Sequence, residues 1–526
     1  MPGNNEIDAQ NSTPLLSHED TKEDVTVDVD IDVAVDADVT EQQQQHLKLF
    51  TRENISKVLE EMKQLYMIAF PMILTGVLSY GKSATSMLFM GMMGKSALAG
   101  GSLAISIGNI TGYSVLSGLA TGMEGISSQA FGARQWSLIG LTLNRTVLIL
   151  LLTCFPISLI WLNSHIFFLF WCQNPAVAAA ATAYLTYSIP SLLFLSFTYP
   201  LKIYLRTQEI TKPLTISAVV SLMAHTSLNY YLICHRKLGV QAAALASAFA
   251  DLNTLLALAS YLGFSGVCKR SWPGWSLKCF REWKPILCQA IPSCLSVCLE
   301  WWWYELMIIL SGILYNPDEA ATSLVYQFPN ALSQAASTRV GNELGANQPY
   351  KAKMASFVAL WTAIVTGTGA MSFMVGVKDV WGRLFTTDKE IIALVTAALP
   401  VVGLCELGNC PQTTACGVVR GSARSALPAC LNLVTFYGVG LPVAMLAGFK
   451  LGMGLVGLWY GLFAAQITCF AGMVVVLVTT DWIKQAERAK ELTGGSITNV
   501  RNEENNNNID NNIDNNNTEE RISITR

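Results

Sequence analysis

The chain has 526 residues, of which 52% are hydrophobic and 13% are charged, and its mean hydropathy is +0.39. Soluble proteins carry about a quarter charged residues, so this composition excludes an ordinary soluble protein and indicates one that lies in a lipid bilayer. The net charge of −3 arises mostly from polar tails, and the sequence has no basic aromatic cluster of the kind that binds nucleic acid.

Both ends of the sequence are polar. An acidic run occupies residues 17–41, and residues 499–526 are rich in asparagine. Such segments bury too little apolar surface to offset the entropy of ordering. We therefore predict a disordered acidic tail over residues 1–60 and a second disordered tail over residues 483–526. The first 60 residues also lack the pattern of a cleavable signal peptide.

Between the tails, apolar segments of about 20 residues, the length that crosses a bilayer, alternate with short polar breaks. The predicted fold class is an all-α membrane protein with about twelve transmembrane helices. Lys and Arg are more frequent in the even-numbered loops, which places both termini in the cytosol. The predicted spans are residues 64–87, 98–123, 138–162, 177–200, 213–234, 239–263, 286–312, 320–337, 354–377, 390–412, 427–448 and 454–480.

The chain also repeats itself. The stretch SQAFGAR (128–134) follows the second span, and GNELGAN (341–347) follows the eighth. We therefore predict a first lobe over residues 61–263, a basic cytosolic linker over 264–285 and a second lobe over 286–482. Duplicated six-helix lobes place a solute site between them near the bilayer midplane and rock to alternate access.

The repeat shows that the eighth span is short. Thirty-eight residues separate Gly94 from Gly132 in the first half, whereas 28 separate Pro317 from Gly345 in the second. The ten missing residues correspond to about 15 Å of helix. The span over 320–337, which has a proline in its middle, is therefore predicted to be at or below spanning length. Whether such a helix permits transport is left open.

The predicted seventh helix contains CLEWWWYELM, with two acids among aromatic residues. An acid inside a helix bundle is a candidate functional group, because its desolvation has to be offset. Glu300 is the deeper acid and a candidate for binding a proton or cation; the alternative is a carboxylate satisfied by buried hydroxyls or an arginine. Glu305 lies one turn nearer the outer end, where we expect it to be solvated. The candidate cavity residues that share the face of Glu300 are Trp303, Tyr304 and Met307.

A second acid lies in the stretch GLCELGNCPQTTACGVVRG, residues 403–421. Glu406, Asn409 and Gln412 follow helical spacing and form a polar stripe. The stripe is a candidate for proton coupling and solute contact, and the alternative is hydrogen-bonded packing between helices.

The first half has its own ionisable residues within predicted spans. We expect Lys82 and Arg145 to snorkel or to pair with Glu124 in a structural role. For Asp251, a structural role and a role in the cavity are equal alternatives. Phe194 is a candidate for an aromatic cavity wall, with ordinary helix packing as the alternative.

The thirteen cysteines are scattered, with no C-x-x-C pair and no histidine at metal-ligand spacing. They are expected to pack as small apolar residues, and no metal site is predicted. An enzyme is not predicted either, because His225 is the only histidine well inside a span.

Four stretches together resemble the plant branch of the MATE (multidrug and toxic compound extrusion, or DETOXIFICATION) transporter family: GMEGISSQAFGA, LEWWWYE, STRVGNELGAN and ELGNCPQTTACGVVRG. The resemblance covers the chain from about residue 60 to about residue 485. It implies the MATE fold of the MOP superfamily, in which twelve helices form two pseudo-symmetric six-helix lobes. It also implies exchange of organic solutes for protons or sodium ions, and plant members mostly resemble proton-driven antiporters.

The resemblance assigns roles to single residues. It matches Glu300 to the coupling glutamate of the seventh helix, and it gives Arg339 a structural role at the cytosolic mouth. Glu406 stands where many plant relatives have aspartate, and we expect Glu300 and Glu406 to be the proton-coupling residues. Glu124 stands where the family usually has aspartate after the second helix. Relatives in this subgroup carry a longer apolar run before VYQFP (325–329), in agreement with the short eighth span.

The sequence thus predicts a multi-pass secondary transporter, a proton-coupled antiporter that exports xenobiotics, secondary metabolites or a plant hormone. No cofactor is expected beyond the transmembrane proton gradient, which we favour over sodium. The expected partners are a small organic cation or planar metabolite and membrane lipids, with the protein acting as a monomer. The alternative is a transporter-like sensor or scaffold that regulates a partner. The expected location is the plasma membrane or an endosomal, vacuolar or Golgi membrane.

Overall fold

A computed structural model describes residues 28–171, 174–266, 269–272, 274–314, 325–381, 383 and 389–494. The chain divides into two units, Met1–Leu59 and Glu60–Arg526. In the first unit, residues 28–59 are helical, where the composition predicted a disordered tail. The Gln, Glu, Leu and Lys residues at 41–59 favour helix, which accounts for the difference there. The predicted tail residues 1–27 and 495–526 lie outside the described residues.

Long helices make up the second unit, to which all of them belong except for the first five residues of α1. One of them, α4, is bent by 43° at Ser188. Their bounds are α1 (Ile55–Met92), α2 (Lys95–Gly132), α3 (Trp136–Leu162), α4 (Pro175–Tyr187 with Ile189–Thr207), α5 (Lys212–His235), α6 (Gln241–Ser265), α7 (Lys284–Leu314), α8 (Gln327–Gly345), α9 (Pro349–Trp381), α10 (Lys389–Gly421), α11 (Ala426–Lys450) and α12 (Gly454–Val478).

Most of these helices are suited to a bilayer. Eight are long and apolar enough to cross a membrane, and nine are if the bent α4 counts as one span. The others are α7, α8 and α10, of which α8 is rich in Gln, Asn and Ser. The described part of the chain is that of a multi-pass helical membrane protein, and the count of twelve spans stays a prediction.

The start of the predicted eighth span lies outside the described residues, which resume at residue 325. Since α8 begins at Gln327, Pro329 lies in its first turn and not in mid-helix. A proline in the first turn removes no intrahelical hydrogen bond. This proline therefore does not break the described helix, and the shortness of the span remains a prediction.

The two largest apolar clusters among the described residues form the cores of the bundle. The first lies among α1–α6 and includes the fully buried Trp161. The second lies among α8, α9, α10 and α12, and the inner part of α1 joins it through Leu65 and Ile68, which pack in the same cluster as Ala336 and Val340. The helix α1 therefore belongs to both halves, which a simple division at residue 263 does not capture.

The chain continues beyond α12 as a helix that packs on the second core, over residues 482–494. Trp482, Ala486 and Ala489 are buried there. Asp481 accepts hydrogen bonds from the backbone N–H groups of Ile483 and Lys484, so it caps this helix. The prediction of a disordered tail from residue 483 is therefore wrong up to residue 494, because spacing of three and four residues buries one face of the segment.

The linker between the halves is bound to the first lobe. Trp272 Nε1 donates to Asn144 Oδ1 at 3.1 Å, and Asn144 Nδ2 donates to the Gly274 carbonyl at 3.0 Å. Arg145 forms an ion pair with Glu282 at 3.4 Å. The basic linker is thus fastened to α3 by polar side chains of that helix.

The two lobes touch at the end of the bundle where α2 leads into α3 and α8 leads into α9, called here the inner end and predicted to face the cytosol. Gly132 of α2 lies against Asn342 and Ala346, while Gly345 lies against the backbone of Gln129. A side chain at either glycine would meet backbone atoms of the other lobe. The repeated small-residue turns found in the sequence therefore allow close contact between the halves.

We expect Gly132→Ala to destabilise the protein, because the added methyl group would overlap the Asn342 carbonyl and lie 2.8 Å from the Ala346 nitrogen. Overpacking of a close contact costs about 1–3 kcal/mol. Gly369→Ala in α9 is the matched control, since nothing lies within 4 Å of a Cβ at that position. Thermal unfolding of the purified variants should show a lower melting temperature for Gly132→Ala alone. Equal melting temperatures would contradict the contact.

Candidate functional site

The acid of α7 is held between α7 and α8. Glu300 is half-buried, and its Oε1 accepts a hydrogen bond from the Tyr326 hydroxyl at 3.1 Å. Tyr326 directly precedes α8, and its ring packs edge-on against Tyr304 with centroids 6.1 Å apart. The carboxyl group therefore has a neutral phenol partner and remains partly accessible.

The acid of α10 is buried among neutral groups. Glu406 is 2% exposed, and its two oxygens accept from Asn409 Nδ2 at 3.0 and 3.3 Å. The Cys410 thiol lies 3.5 Å from the same carboxyl group. Among the described residues, no cation forms an ion pair with Glu406. A proton is therefore the simplest group that could neutralise it.

Tyr304 lies between the two acids. The Tyr304 hydroxyl lies close enough to Glu300 and to Glu406 to be affected by both charges. Thr413 Oγ1 donates to Asn409 Oδ1 at 3.2 Å and extends the polar stripe along α10. We call Glu300, Tyr304, Tyr326, Glu406 and Asn409 the acid site.

Gln412 is fully buried further along α10. Its Nε2 donates to the Cys416 sulfur at 3.6 Å, and its Oε1 accepts from Thr413 at 3.3 Å. The side chain is thus satisfied within its own helix.

Two residues predicted to share the cavity face of Glu300 pack elsewhere. Trp303 is fully buried, with Phe436 and Tyr437 edge-on at 5.7 and 6.1 Å between ring centroids. Met307 lies in the same apolar cluster as Trp303, against α11 and α12. Positions three and four residues after Glu300 lie on opposite sides of it round the helix, so Trp303 turns toward α11 while Tyr304 turns toward Tyr326. Met307 lies on the side of Glu300 but two turns further along α7, where the apolar cluster surrounds it. This corrects the predicted cavity face.

Glu305 is not solvated, contrary to the prediction. It is 7% exposed, and its Oε1 accepts a hydrogen bond from Asn109 Nδ2 of α2 at 3.0 Å. Nearby, Trp302 Nε1 donates to the Ile110 carbonyl at 3.0 Å. Asn109 and Ile110 belong to a π-helical segment of α2, whose wider turn alters the direction of side chains and carbonyl groups. Glu305 therefore contributes to the contact between α7 and α2.

The ionisable residues of the first lobe pair differently from the prediction. Lys82 binds Asp251 at 2.5 Å, and Arg145 binds Glu282 of the linker. Glu124, the predicted partner of both cations, is fully buried and binds Arg206 of α4. The sequence could not show which cation each acid meets, because the pairs join residues more than 80 positions apart.

Glu124 lies at the centre of a charged layer that closes the inner end. Arg206 donates to Glu124 and also to Gln334 of α8. Arg420 of α10 lies 3.6 Å from Glu124 and donates to Ser333 at 2.8 Å. We call Glu124, Arg206, Gln334 and Arg420 the closure layer, since it joins α2 and α4 to α8 and α10.

Arg339 makes a second connection between the lobes. Its guanidinium binds both oxygens of Glu61 at 2.9 and 3.0 Å, and it donates to Glu343 at 2.7 Å. Glu209, between α4 and α5, lies 3.4 Å from Arg339 and accepts from Asn342 at 3.0 Å. A bidentate pair of this kind fixes orientation as well as charge.

Phe194 is half-buried in α4, two turns before Lys202 on the same helix. Sequence reasoning did not single out Tyr326, Arg206 or Glu61. Arg206 lies six residues beyond the predicted span 177–200, and its nearness to the end of that span is the one available signal. The described residues contain no group of three or more side chains placed to hold a metal ion.

Comparison with known proteins gives the family. The MatE family model matches residues 71–231 and 292–446. Protein DETOXIFICATION 49 of Arabidopsis thaliana is 49% identical over 449 residues, covering 84% of this chain and 89% of the relative. Protein DETOXIFICATION 48 of the same plant is 51% identical over 445 residues, covering 83% of this chain and 84% of the relative.

Solved structures agree in fold. The crystal structure of the eukaryotic MATE transporter AtDTX14 superposes with a TM-score of 0.79 at 32% identity, covering 83% of this chain and all of that one. The Vibrio cholerae MATE transporter VcmN, at 16% identity, superposes with a TM-score of 0.71 over 81% of this chain and 99% of its own, which shows the fold alone. The chain therefore belongs to the MatE family, and it is a multi-pass membrane transporter of the multidrug and toxic compound efflux type, not an enzyme.

Proposed function

We propose that this transporter is a proton-coupled antiporter, in which Glu300 and Glu406 of the acid site carry the protons that drive export of an organic solute. The observation that supports the proposal most directly is the environment of Glu406. An ionised carboxylate without a countercharge is costly to keep in a helix bundle. Binding and release of a proton would therefore change the charge of the site without further rearrangement of the described partners.

Glu300 could couple proton binding to the contact between the lobes. Charged or titratable groups near it include Tyr304, Tyr326 and Arg420. Arg420 also contacts Glu124 in the closure layer. A proton that binds Glu300 would change the electrostatic balance at Arg420 and hence at the contact between the lobes. Differential stabilisation of two lobe arrangements is what a coupling ion has to supply.

The inner end is closed in this structure by the closure layer and by Arg339. A transport cycle would require both connections to separate, since each joins the two halves. Glu61, Glu124, Arg206 and Arg339 are buried, so separation needs water or new partners to replace the lost contacts. The closure layer is therefore proposed to act as the inner gate.

We expect Glu406→Gln and Glu300→Gln each to abolish export driven by a pH gradient, because an amide preserves the size of the side chain but does not exchange a proton. Glu305→Gln is the matched control, as Glu305 is also a buried acid of α7 but faces α2. Proteoliposomes that carry an imposed pH gradient would be tested with fluorescent organic solutes, and the solute-induced collapse of the gradient recorded. Wild-type rates in both acid-site variants would refute the coupling roles.

We expect Arg420→Gln to loosen the inner end, because Glu124 would keep Arg206 but lose its cation from the other lobe. Loss of interactions to charged groups worth about 1.5–3 kcal/mol would raise opening by about 10- to 100-fold. Hydrogen–deuterium exchange of peptides covering 124–134 and 334–345 would measure this. Lys484→Gln is the control, since its ion pair with Asp481 is exposed and should contribute little. Unchanged exchange in Arg420→Gln would remove Arg420 from the proposed gate.

A further inference from the structure

The first lobe contains a polar cluster that the proposed proton route does not use. At its centre the Lys82 ammonium lies 2.5 Å from the Asp251 carboxylate. The hydroxyls of Tyr113, Tyr184 and Tyr199 are all near enough to Asp251 to be affected by its charge. Lys202 of α4 lies within electrostatic range of Lys82 and Asp251. These six residues are called here the first-lobe cluster.

The cluster lies inside the lobe and not on its lipid-facing side. Its members come from α1, α2, α4 and α6, and these helices can converge on one point only in the interior of the lobe. His225 of α5, fully buried, borders the same place and accepts or donates a hydrogen bond with Ser86 at 3.0 Å. The side chain of Lys82 is nevertheless 25% exposed, and Lys202 is half-buried. Because both lysine side chains face the interior of the lobe, their accessible surface requires open space there.

Lys202 differs from the other buried or half-buried cations of the first lobe. Lys82, Arg145 and Arg206 each have a carboxylate partner. Among the described residues, Lys202 forms no hydrogen bond and no ion pair, although Asp251 affects it at longer range. A lone ammonium inside a membrane bundle is unfavourable unless something pairs with it, and such groups usually belong to functional sites.

The position of Lys202 relative to the inner gate is also specific. Arg206 follows it by one helical turn on α4 and lies in the closure layer with Glu124. Positions i and i+4 share a helix face, so Lys202 lies one turn deeper in the lobe than the closure layer. A solute that enters the lobe from the other side would meet Lys202 before the closed end.

The charges of the cluster do not balance. Two lysines and one aspartate leave a surplus of one positive charge, while the acid site of the second lobe has two carboxylates. We propose that the first-lobe cluster binds an anionic group, of the carboxylate class, on the transported organic solute, with Lys202 as its charged partner and the tyrosine hydroxyls as hydrogen-bond donors. This proposal rests on the proposed export function and adds the substrate class, which the sequence had suggested to be a cation or planar metabolite.

The tyrosines fit this role. Tyr113 and Tyr184 already interact with Ser188 and Ser247 through their hydroxyls, and each hydroxyl still has one proton to donate to a carboxylate. The tyrosine rings supply the flat apolar surface that an aromatic acid would cover. Phe194, two turns before Lys202 on α4, would add to that surface. Lys82 is already occupied by Asp251, so Lys202 is the cation of the cluster that an incoming anion can reach without breaking an ion pair.

The test compares two dyes that share a xanthene frame, fluorescein as the organic anion and rhodamine 123 as the organic cation. Thermal stabilisation of the purified full chain by each dye measures binding, and proteoliposomes with a pH gradient measure transport. We expect fluorescein to stabilise the wild-type protein. Lys202→Gln should weaken fluorescein binding by about 10- to 100-fold, the loss of one charge-assisted hydrogen bond. Lys202→Arg, which keeps the charge, should retain most of the affinity, and rhodamine 123 should be unaffected by either change.

Several results would overturn the proposal. They are a wild-type protein that fluorescein does not stabilise, a Lys202→Gln variant with unchanged fluorescein affinity, and an equal loss for both dyes. The proposed antiport is judged separately, by whether the pH gradient drives movement of either dye. Gradient-driven transport of rhodamine 123 alone would refute the anion site and leave the antiporter standing. Binding of fluorescein to a protein that moves neither dye in response to the pH gradient would refute the antiporter and leave the anion site standing.

Discussion

Ionised side chains that are buried away from water need partners of opposite charge, and the arrangement of this transporter depends on that constraint. Glu124 is fully buried and shared between Arg206 of its own lobe and Arg420 of the other. Removal of Glu124 would leave two guanidinium groups without their shared carboxylate, so this acid holds the two lobes together at the inner end. The glycines of α2 and α8 allow the close approach that such short polar contacts need. Charge and small residues therefore act together at this contact.

The two lobes solve the problem of buried charge in different ways. In the second lobe, Glu406 has neutral partners and Glu300 a phenol, so a proton can remove the charge. In the first lobe, Asp251 is neutralised by Lys82, while Lys202 has no carboxylate of its own among the described residues. A proton can neutralise the acids of the second lobe, and an anion can neutralise Lys202 of the first lobe. Such a division would let driving ion and solute bind in separate lobes and influence one another through the contact between them.

Sequence reasoning found the elements of this arrangement more readily than their contacts. The apolar spans, Glu300 and the polar stripe at Glu406 and Asn409 followed from hydropathy and helical spacing. The partners of Glu124 did not, because Arg206 and Arg420 approach it only after α4 and α10 have packed. Trp303 was placed with Glu300 by spacing alone, but the apolar surface of α11 and α12 decided its side. Glu305 was read as solvated because no local pattern shows the π-helical segment of α2 that contacts it.

The helix α10 connects the proposed proton site to the inner gate. Glu406 and Arg420 lie 14 residues apart on it, which corresponds to about 21 Å along a continuous helix. Pro411 lies inside the helix between these two residues, and a shift of the helix at Glu406 would reach Arg420 along the backbone, without a chain of intermediate side chains. Arg420 is in addition affected by the charge of Glu300 on α7. In the proposed mechanism the cation would respond to both acids, to Glu406 through the backbone and to Glu300 through space, while its contact with Glu124 spans the boundary between the lobes. Coupling between proton binding and gate opening then requires one movable group, and Arg420 occupies that position.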